Sequence, residues 1–494
     1  MKTLITLFTI LLLLKARLFA QQGIDTAYDF CTDERIVSSI YSCLADTDFF
    51  LITGVTATKD TSEEHSFIAS LQYDGSINWV KKTFFAGELN SAQSYKGIIK
   101  ISPDKFLYIG SIYNFNYSVC YPYLYFFNAN GDSICYKSYT DTAGIKYFSG
   151  ATVHNNHIIT AGTDFDTQNN IASLWIAKYD LSGNTVWQKN MFFSPAIPGN
   201  NNITLSADGK SYLVVGPMYD SVKNIFTSGM VKLDTDGHVL WMKSLPKPAH
   251  RHYNDMDIVT IPSGGYYFVS SISKSSILAP DSSYIYYGKL DENGDTVWTK
   301  TFRELFYNCK GYQLQLTPDN KHIIFLTGPY SGEKSGFMKT DTNGNVIWYS
   351  IPYYQKTSNG ILHSLSISPG NKYVLCGYTL DITNPLSWVI ITDSNGRRFP
   401  GDDAIQPLNI NHRTKNLHNN IKIYPNPTSN NITIEGIQPA TIIQLFDVTS
   451  RLVINTTAQQ PTATISTHTL AAGTYILQLT LPDGEKRNSK ITKR

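Results

Sequence analysis

The sequence predicts an all-β protein built from a repeated unit, and three observations lead to this prediction. Apolar stretches alternate with polar turns, and none of them has the 3.6-residue periodicity of an amphipathic helix. Tyrosine and phenylalanine, which favour pleated strands, are abundant, with 32 and 24 copies. Self-similarity at a fixed period is typical of repeat architectures. Here seven acidic or polar turns end in a glycine, 50 to 57 residues after the previous one: Gly75, Gly131, Gly183, Gly237, Gly294, Gly344 and Gly396.

The fourth copy shows the repeated unit most clearly. An apolar run at residues 211–215 is closed by Gly216, and a second run leads into the turn Asp234–Gly237. A third apolar run, residues 239–243, leaves that turn. Asp-Gly or Asn-Gly between two such runs is a strong hairpin signal, because glycine accepts a positive φ without steric cost. With the runs upstream, each unit of about 53 residues contains four strands.

A single four-stranded sheet cannot bury both of its faces, so neighbouring units must stack. A ring of sheets does this and leaves only short edges. The sequence therefore predicts a seven-bladed β-propeller, followed by a small C-terminal β-sandwich of the Ig-like kind.

A tryptophan follows five of the turn glycines by four residues and falls on the last strand of its unit. A lysine two positions later usually shares its face. We interpret the pair as packing between blades, with the lysine stem over the ring, and the alternative is a ligand platform. The tryptophans are Trp79, Trp187, Trp241, Trp298 and Trp348.

Three departures from the repeat are informative. Cys135 replaces the tryptophan of the second unit, and Gln72 replaces the turn aspartate of the first. The seventh unit lacks its last strand, since Arg397-Arg398 follows where the tryptophan run is expected. We predict that residues 25–31 supply this strand and so close the ring.

The pattern D-x-x-G-x-x-x-W resembles the repeat of quinoprotein-type and related bacterial propellers, in which the tryptophan docks blade against blade. The resemblance covers residues 36–400. No cofactor or metal site accompanies it, and we expect neither. The acids of the turns, as in Asp291–Asp295, have the plain chemistry of turns, with calcium binding as the alternative.

The N-terminus predicts a secretory signal at residues 1–20, with Lys2, an apolar core at residues 4–14 and cleavage after Ala20. This implies the Sec translocon as a partner. No other stretch approaches the length of a membrane span. A net charge of +2 gives no basic surface for nucleic acid.

The six cysteines have no CxxC spacing, so they predict no zinc or redox motif. Counting outward from Gly131 places Cys135 opposite Leu124, which makes a bridge to Cys120 strained. We expect Cys376 to be a small buried hydrophobe.

Composition changes after the repeats. We predict a propeller over residues 21–400, a linker over residues 401–420 and a separate module over residues 421–494. Short alternating strands argue for a sandwich. The module opens with Y-P-N-P-T, has a G-T-Y strand and ends in a basic tail. The motif residues are Tyr424, Pro425, Asn426, Pro427, Gly473 and Tyr475.

In these motifs and their order the module resembles the type A C-terminal sorting domain of the type IX secretion system of Bacteroidota. The resemblance implies recognition by an outer-membrane translocon, removal of the module, and a protein that is secreted or displayed at the cell surface. A generic adhesion sandwich is the alternative.

Catalytic motifs such as HExxH, GxSxG and the P-loop are missing. The densest polar cluster is in a loop between the fourth and fifth units, with His250, Arg251, His252 and Asp255 as ligand-binding candidates. Residues 63–65 and 164–166 lie in equivalent loops. The alternative interpretation of all three segments is that they are solvated loops.

We therefore predict a non-catalytic binding scaffold for polysaccharide or protein, with no assigned catalytic residue. The alternative is a glycan hydrolase or lyase on the same scaffold.

Overall fold

The computed structural model describes most of the chain beyond residue 23. The described ranges are 24–28, 30, 37–57, 64–83, 89–91, 97–113, 120–139, 145–166, 168–169, 171–195, 201–220, 225–245, 251–273, 283–302, 309–329, 335–352, 360–379, 385–398, 405–407, 421–437, 439–447, 451–482 and 486–494. Every regular element in these ranges is a β-strand. They contain no helix that is long and apolar enough to cross a membrane. The chain divides into two compact units, residues 1–407 and 408–494.

The first unit contains seven four-stranded antiparallel blades, as the repeat predicts. Blades 1 and 2 are Val37–Ala45, Phe49–Ala57, Glu64–Gln72 and Ile77–Thr83, then Ile98–Ser102, Lys105–Tyr113, Cys120–Phe127 and Ser133–Ser138. Blades 3 and 4 are Ile145–His154, His157–Asp166, Ile171–Asp180 and Thr185–Pro195, then Asn202–Leu205, Ser211–Asp220, Ile225–Asp234 and Val239–Ser244. Blades 5 and 6 are Arg251–Thr260, Tyr266–Ser273, Ser283–Leu290 and Thr296–Phe302, then Cys309–Leu316, His322–Pro329, Gly336–Asp341 and Val346–Ser350. Blade 7 is Gly360–Ile367, Tyr373–Thr379, Ser387–Thr392 and, from the chain's start, Ile24–Tyr28.

The predicted closure of the ring is confirmed. Ile24–Tyr28 pairs antiparallel with Ser387–Thr392 and takes the fourth position of blade 7. Blade 7 also packs on blade 1, because Phe50 and Phe67 share a buried cluster with Val374 and Val389. Each of the other successive pairs of blades shares such a cluster, which makes the ring continuous.

Two short strands fall outside the repeat. Leu89–Ser91 pairs with the second strand of blade 2. Ile405–Pro407 lies inside the predicted linker, residues 401–420, and pairs with the outer strand of blade 6, opposite Trp348–Ser350. The sequence analysis assigned this segment to a linker because its composition is polar and because the partner strand lies more than 50 residues earlier in the chain. The domain boundaries of the sequence analysis stay predictions.

The seven turn glycines follow the third strands of the blades, and in blades 1 to 6 the turn leads into the fourth strand. All seven have a positive φ, between 73° and 87°. In blade 3 the Asp180 carboxylate accepts hydrogen bonds from the backbone N–H groups of Ser182 and Asn184, both at 2.8 Å. Gln72 occupies the equivalent position in blade 1, as the sequence predicts, and its carbonyl accepts the Gly75 N–H.

One extra residue shifts the register of each of these hairpins in blades 1 to 6. In blade 2 this places Cys135 opposite Phe126 and Lys137 opposite Leu124. The predicted pairing of Cys135 with Leu124 is therefore wrong by two positions, and the extra residue of the bulge accounts for one of them. Neither Cys120 nor Cys135 is part of a disulfide. Cys376 is fully buried, as predicted.

The tryptophan of one blade docks on the turn glycine of the next. A Cβ built at Gly294 would lie 2.5 Å from the Trp241 ring, and Gly344 is equally close to Trp298. Trp79, Trp187 and Trp348 make the same contact with Gly131, Gly237 and Gly396. The interpretation of these tryptophans as packing residues between blades is confirmed.

The two blades without this tryptophan use a substitute. Tyr139 of blade 2 donates a hydrogen bond to the carbonyl of Gly183 at 2.8 Å, and the Lys137 stem covers that glycine. In blade 7 the closing strand supplies Tyr28, whose hydroxyl donates to the carbonyl of Gly75 at 2.8 Å. In all seven blades the turn glycine is therefore contacted by an aromatic side chain of the preceding blade.

The second unit is a sandwich of two antiparallel sheets. One sheet has three strands, Lys422–Tyr424, Asn431–Glu435 and Thr462–Ser466. The other has four, in the order Leu452–Thr457, Ile442–Asp447, Gly473–Thr480 and Lys486–Lys493. Alternate residues of both sheets, including Ile432, Ile443 and Leu477, form one buried core. The predicted C-terminal sandwich is confirmed.

Candidate functional site

The first strands of the blades form the inner wall of the ring, because they contact one another from blade to blade. Their backbones are not paired with each other, so side chains bridge the gap. The Cys43 N–H donates to Ser364 Oγ at 3.1 Å, and the Leu314 N–H donates to Asp257 Oδ2 at 2.8 Å. Similar bonds run from Gly97 to Ser42 and from Leu365 to Gln313.

Four of these first strands contain a bulge of one residue in their middle or first half. The ladder skips Tyr41 in blade 1, Ser149 in blade 3, Tyr312 in blade 6 and His363 in blade 7. A bulge redirects the extra side chain away from the regular alternation of the strand. The inner wall thus gains side chains that the pattern of the repeat does not specify.

A glycine near the end of the second strand makes room for such a bulge. A Cβ built at Gly377 would lie 1.8 Å from the carbonyl oxygen of Ile361, and one at Gly54 would lie 2.0 Å from that of Ser39. Any larger residue would push the first strand away from the second at this point.

Three tyrosine rings surround the imidazole of His363, and two of them, Tyr41 and Tyr312, are bulge residues like His363 itself. The His363 ring stacks on Tyr41 of blade 1, with centroids 5.0 Å apart and an interplanar angle of 28°. Tyr378 of blade 7 lies 5.4 Å from it, and Tyr312 of blade 6 lies 6.4 Å from it, edge to face. We call Tyr41, Tyr312, His363 and Tyr378 the axial aromatic cluster. It joins three blades across the closure of the ring.

The axial aromatic cluster is uncharged at neutral pH. His363 is only 8% exposed, and burial lowers the pKa of its imidazole to about 4. Burial also raises the pKa of the Tyr378 hydroxyl. Tyr41, Tyr312 and Tyr378 are half-buried, so the cluster offers ring faces and neutral polar groups together.

The cluster lies towards the face of the ring where first strands begin and second strands end. His363 is in the first half of Gly360–Ile367, and Tyr378 is next to the last residue of Tyr373–Thr379. The loops between blades and those after each second strand open on this face. Sequence analysis expects ligands there, but it did not identify this cluster.

The structure places the predicted candidates of blade 5 on the same face. Arg251 and His252 begin the first strand, opposite Ser273 and Ile272. Asp255 lies in the interruption of the ladder between His252 and Met256. His250, and the side chains of the other three, are outside the described part of the structure, so their role stays a prediction.

The other predicted loop acids have structural partners where the structure describes them. Asp164 Oδ2 accepts a hydrogen bond from Asn190 at 2.7 Å and pairs with Lys146 at 3.1 Å. Asp166 accepts the backbone N–H of Gln168 at 2.9 Å. Of residues 63–65, only the half-buried side chain of His65 is described. Within the described ranges, no three His, Cys, Asp or Glu side chains are grouped as metal ligands.

In the second unit, the Y-P-N-P-T segment holds the C-terminal strand. The Asn426 amide donates to the carbonyl of Lys490 at 2.8 Å and accepts the Thr492 N–H at 2.9 Å. Thr428 then exchanges backbone hydrogen bonds with Thr492 and Arg494. Pro425 and Pro427 both follow cis peptide bonds and flank Asn426.

The remaining motif residues belong to the two sheets. Tyr475 of the G-T-Y strand is buried, and its hydroxyl donates to the carbonyl of Ala471 at 2.8 Å. Gly473 begins that strand. Tyr424 is exposed and its hydroxyl donates to Glu435. The motif therefore fastens the last strand and the basic tail to the sandwich.

Residues 422–494 match the family model of the secretion system C-terminal sorting domain. The chain carries a type IX sorting domain. The protein is thus a type IX export substrate, a β-propeller that is secreted or attached to the cell surface.

Among solved structures, the chain is similar to hydrazine synthase of Kuenenia stuttgartiensis, with 10% identity, a TM-score of 0.47 and coverage of 75% of this chain and 100% of that one. It is also similar to PorZ of Porphyromonas gingivalis, a surface component of the type IX system, with 10% identity, a TM-score of 0.31 and coverage of 92% and 70%. The Dos1 propeller has 9% identity, a TM-score of 0.40 and coverage of 77% and 96%. At these values we take no ligand or activity from them. None of the curated proteins compared with the chain matches it.

Proposed function

We propose that the exported propeller is a non-catalytic scaffold that binds polysaccharide through the axial aromatic cluster. The supporting observation is the convergence of Tyr41, Tyr312, His363 and Tyr378 from three blades on the face where the loops open. Ligand sites are typically concave, rich in aromatic rings and supplied with few polar groups.

The chemistry of the cluster favours a neutral sugar chain over an anionic one. Tyrosine combines an apolar ring with a hydroxyl, which suits the apolar faces and hydroxyl groups of a sugar ring. The imidazole of His363 is neutral, because burial holds its pKa at about 4. The described part of the cluster therefore supplies no cation to attract a carboxylate or a sulfate.

Binding by purified mature protein tests this proposal. We expect a glycan array to show neutral polysaccharide ligands, and calorimetry to show at least a tenfold weaker affinity for Tyr41→Ala and His363→Ala. Tyr136→Ala is the matched control, because Tyr136 is a tyrosine exposed on the fourth strand of blade 2. Unchanged affinity in both cluster variants, at an unchanged fold, would contradict the proposal.

The same experiment separates the alternative of a glycan-degrading enzyme. A retaining hydrolase needs two carboxyl groups about 5–5.5 Å apart, and an inverting one needs about 6.5–9.5 Å. Among the predicted loop acids, the carboxylate of Asp164 forms an ion pair with Lys146 and not a pair with a second carboxyl group. We expect chromatography of the bound glycan to show no shortened products. Products that vanish with Asp255→Asn would favour the enzyme and the predicted blade 5 site.

We further propose that the Sec translocon carries the chain across the inner membrane before type IX export, with residues 1–20 as the signal and cleavage after Ala20. The apolar core at residues 4–14 supports this. N-terminal sequencing of the exported protein should start at Gln21. A start at Met1 would contradict it.

A further inference from the structure

Two cysteines face each other where the ring closes. Cys43 belongs to the first strand of blade 1, and Cys376 belongs to the second strand of blade 7. Both side chains are buried in the cluster that joins these blades, at 6% and 0% exposure. Neither is in a disulfide in this structure. They are separated by most of the propeller in sequence, and only closure of the ring brings them together.

The Cys43 thiol reaches across the boundary between the blades to the strand that carries Cys376. The Cys43 thiol donates to the carbonyl of Val374 at 3.6 Å, on the strand that carries Cys376. It also approaches Ser364 Oγ at 3.5 Å, and Ser364 is paired with Cys376 in the ladder of blade 7. Burial, and then the neighbouring Cys43 thiol, raise the pKa of the Cys376 thiol.

This placement puts the two cysteines on strands that face each other, as a disulfide requires. A disulfide joins Cα atoms that are about 4.4–6.8 Å apart. Cα atoms of the two strands approach within 8 Å, and the Cys43 sulfur already reaches the backbone of the facing strand. The contact crosses the boundary that the strand Ile24–Tyr28 closes without a covalent bond.

We propose that Cys43 and Cys376 are a disulfide site that closes the propeller ring covalently after the chain leaves the cytoplasm. The oxidant is a reactive protein disulfide of the compartment beyond the inner membrane, where disulfides persist. One cysteine thiolate attacks that disulfide, breaks its S–S bond and forms a mixed disulfide. The second cysteine thiolate attacks the protein sulfur of this mixed disulfide and displaces the oxidant's sulfur as a thiolate, and the oxidant's two thiolates take up two protons. A Cys43–Cys376 bond forms, two protons leave, and the two electrons reduce the oxidant to a dithiol.

The burial of the pair determines when oxidation takes place. The thiolate is the attacking species, and burial raises the pKa of the Cys376 thiol. Within the closed ring both thiols are shielded and inert. Oxidation therefore precedes the docking of blade 7 on blade 1, during folding, and the finished bond resists reductants.

Peptide mapping of the exported full-length protein tests the proposal. Cells are treated with an alkylating agent before lysis, and the protein is digested without reductant. We expect mass spectrometry to find the peptides of Cys43 and Cys376 linked, and unalkylated. Alkylated Cys43 and Cys376, or a link from either to another cysteine, would overturn the proposal.

Variants provide a second readout. We expect Cys43→Ala, Cys376→Ala and the double variant to lower Tm by the same several degrees, because each removes one shared bond. Wild-type protein refolded under reductant should have the same lowered Tm as these variants. Cys135→Ala is the control, since Cys135 lies on the outer strand of blade 2, and its Tm should stay within a degree. An additive loss in the double variant would overturn the proposal.

Discussion

The outer rim and the inner wall of the propeller follow opposite rules. On the rim, an aromatic side chain of one blade covers the turn glycine of the next at every junction. It is a tryptophan in five cases and a tyrosine in two. On the inner wall, the bulge residues differ from blade to blade, with Tyr41, Ser149, Tyr312 and His363. The rim contacts repeat because each of the seven pairs of successive blades must bury the same kind of surface. The inner wall varies, and this variation is where a specific ligand can be recognised.

Removing the closing strand tests the rim with the largest expected effect. A chain without residues 21–28 loses the fourth strand of blade 7 and the Tyr28 contact with Gly75. We expect the loss to be comparable with the whole stability of a domain, about 5–15 kcal/mol, so that the cooperative transition disappears or moves far down in temperature. Circular dichroism melting measures it. An unchanged Tm would show that the ring does not depend on closure.

A single rim tryptophan gives the next largest effect. Trp298→Ala removes the ring that covers Gly344 and packs against Tyr287, whose centroid lies 6.1 Å away. We expect a loss of about 3–4 kcal/mol in urea unfolding, as for other large-to-small changes at packed aromatic rings. Val297→Ala on the same strand is the control, because Val297 is 55% exposed and should change stability by about 0.5 kcal/mol or less.

The same contrast explains what the sequence predicts. The rim is local, because each turn, tryptophan and lysine fall within about ten residues, so their spacing specifies blade number, hairpins and docking. Even the closing strand follows from the missing tryptophan run after Gly396. The strand Ile405–Pro407 was not predicted, because it is only three residues long and its partner is distant in sequence.

The axial aromatic cluster was not predicted for a related reason. Tyr41, Tyr312 and His363 are far apart in sequence, and only closure of the ring brings them together. Each also depends on a bulge, which shifts the alternation by one residue. One signal was present, since glycines such as Gly54 and Gly377 end apolar runs of the second strands. A glycine there permits the first strand to approach, and so marks the bulge opposite.

The inner wall should respond to pH through the imidazole of His363. The His363 imidazole has a pKa of about 4 in the folded protein, against 6.5 for the ordinary group, because burial disfavours its charged form. The unfolded chain therefore binds the extra proton between these values. The stabilisation is complete above pH 6.5 and is lost as pH falls towards 4, by about 3 kcal/mol.

Urea unfolding of wild type and His363→Phe at several pH values measures this effect. Phe keeps a flat ring among Tyr41, Tyr312 and Tyr378. We expect the variant to lose about 3 kcal/mol of pH dependence between pH 6.5 and 4. Parallel curves for the two proteins would assign the acid sensitivity to other groups.

The smallest expected effect distinguishes the contribution of a lysine charge to stability at the rim from that of a tryptophan ring. Lys243 lies over the Trp241 ring at 5.3 Å and pairs with Asp295 of the next blade at 2.6 Å, where Lys243 is half-buried and Asp295 is exposed. Exposed ion pairs contribute about 0–1 kcal/mol, and salt screens them. We expect Lys243→Met, which retains an apolar stem, to cost about 0.5 kcal/mol and to make unfolding less sensitive to salt. A loss as large as that of Trp298→Ala would mean that the cation, and not the ring, holds successive blades together.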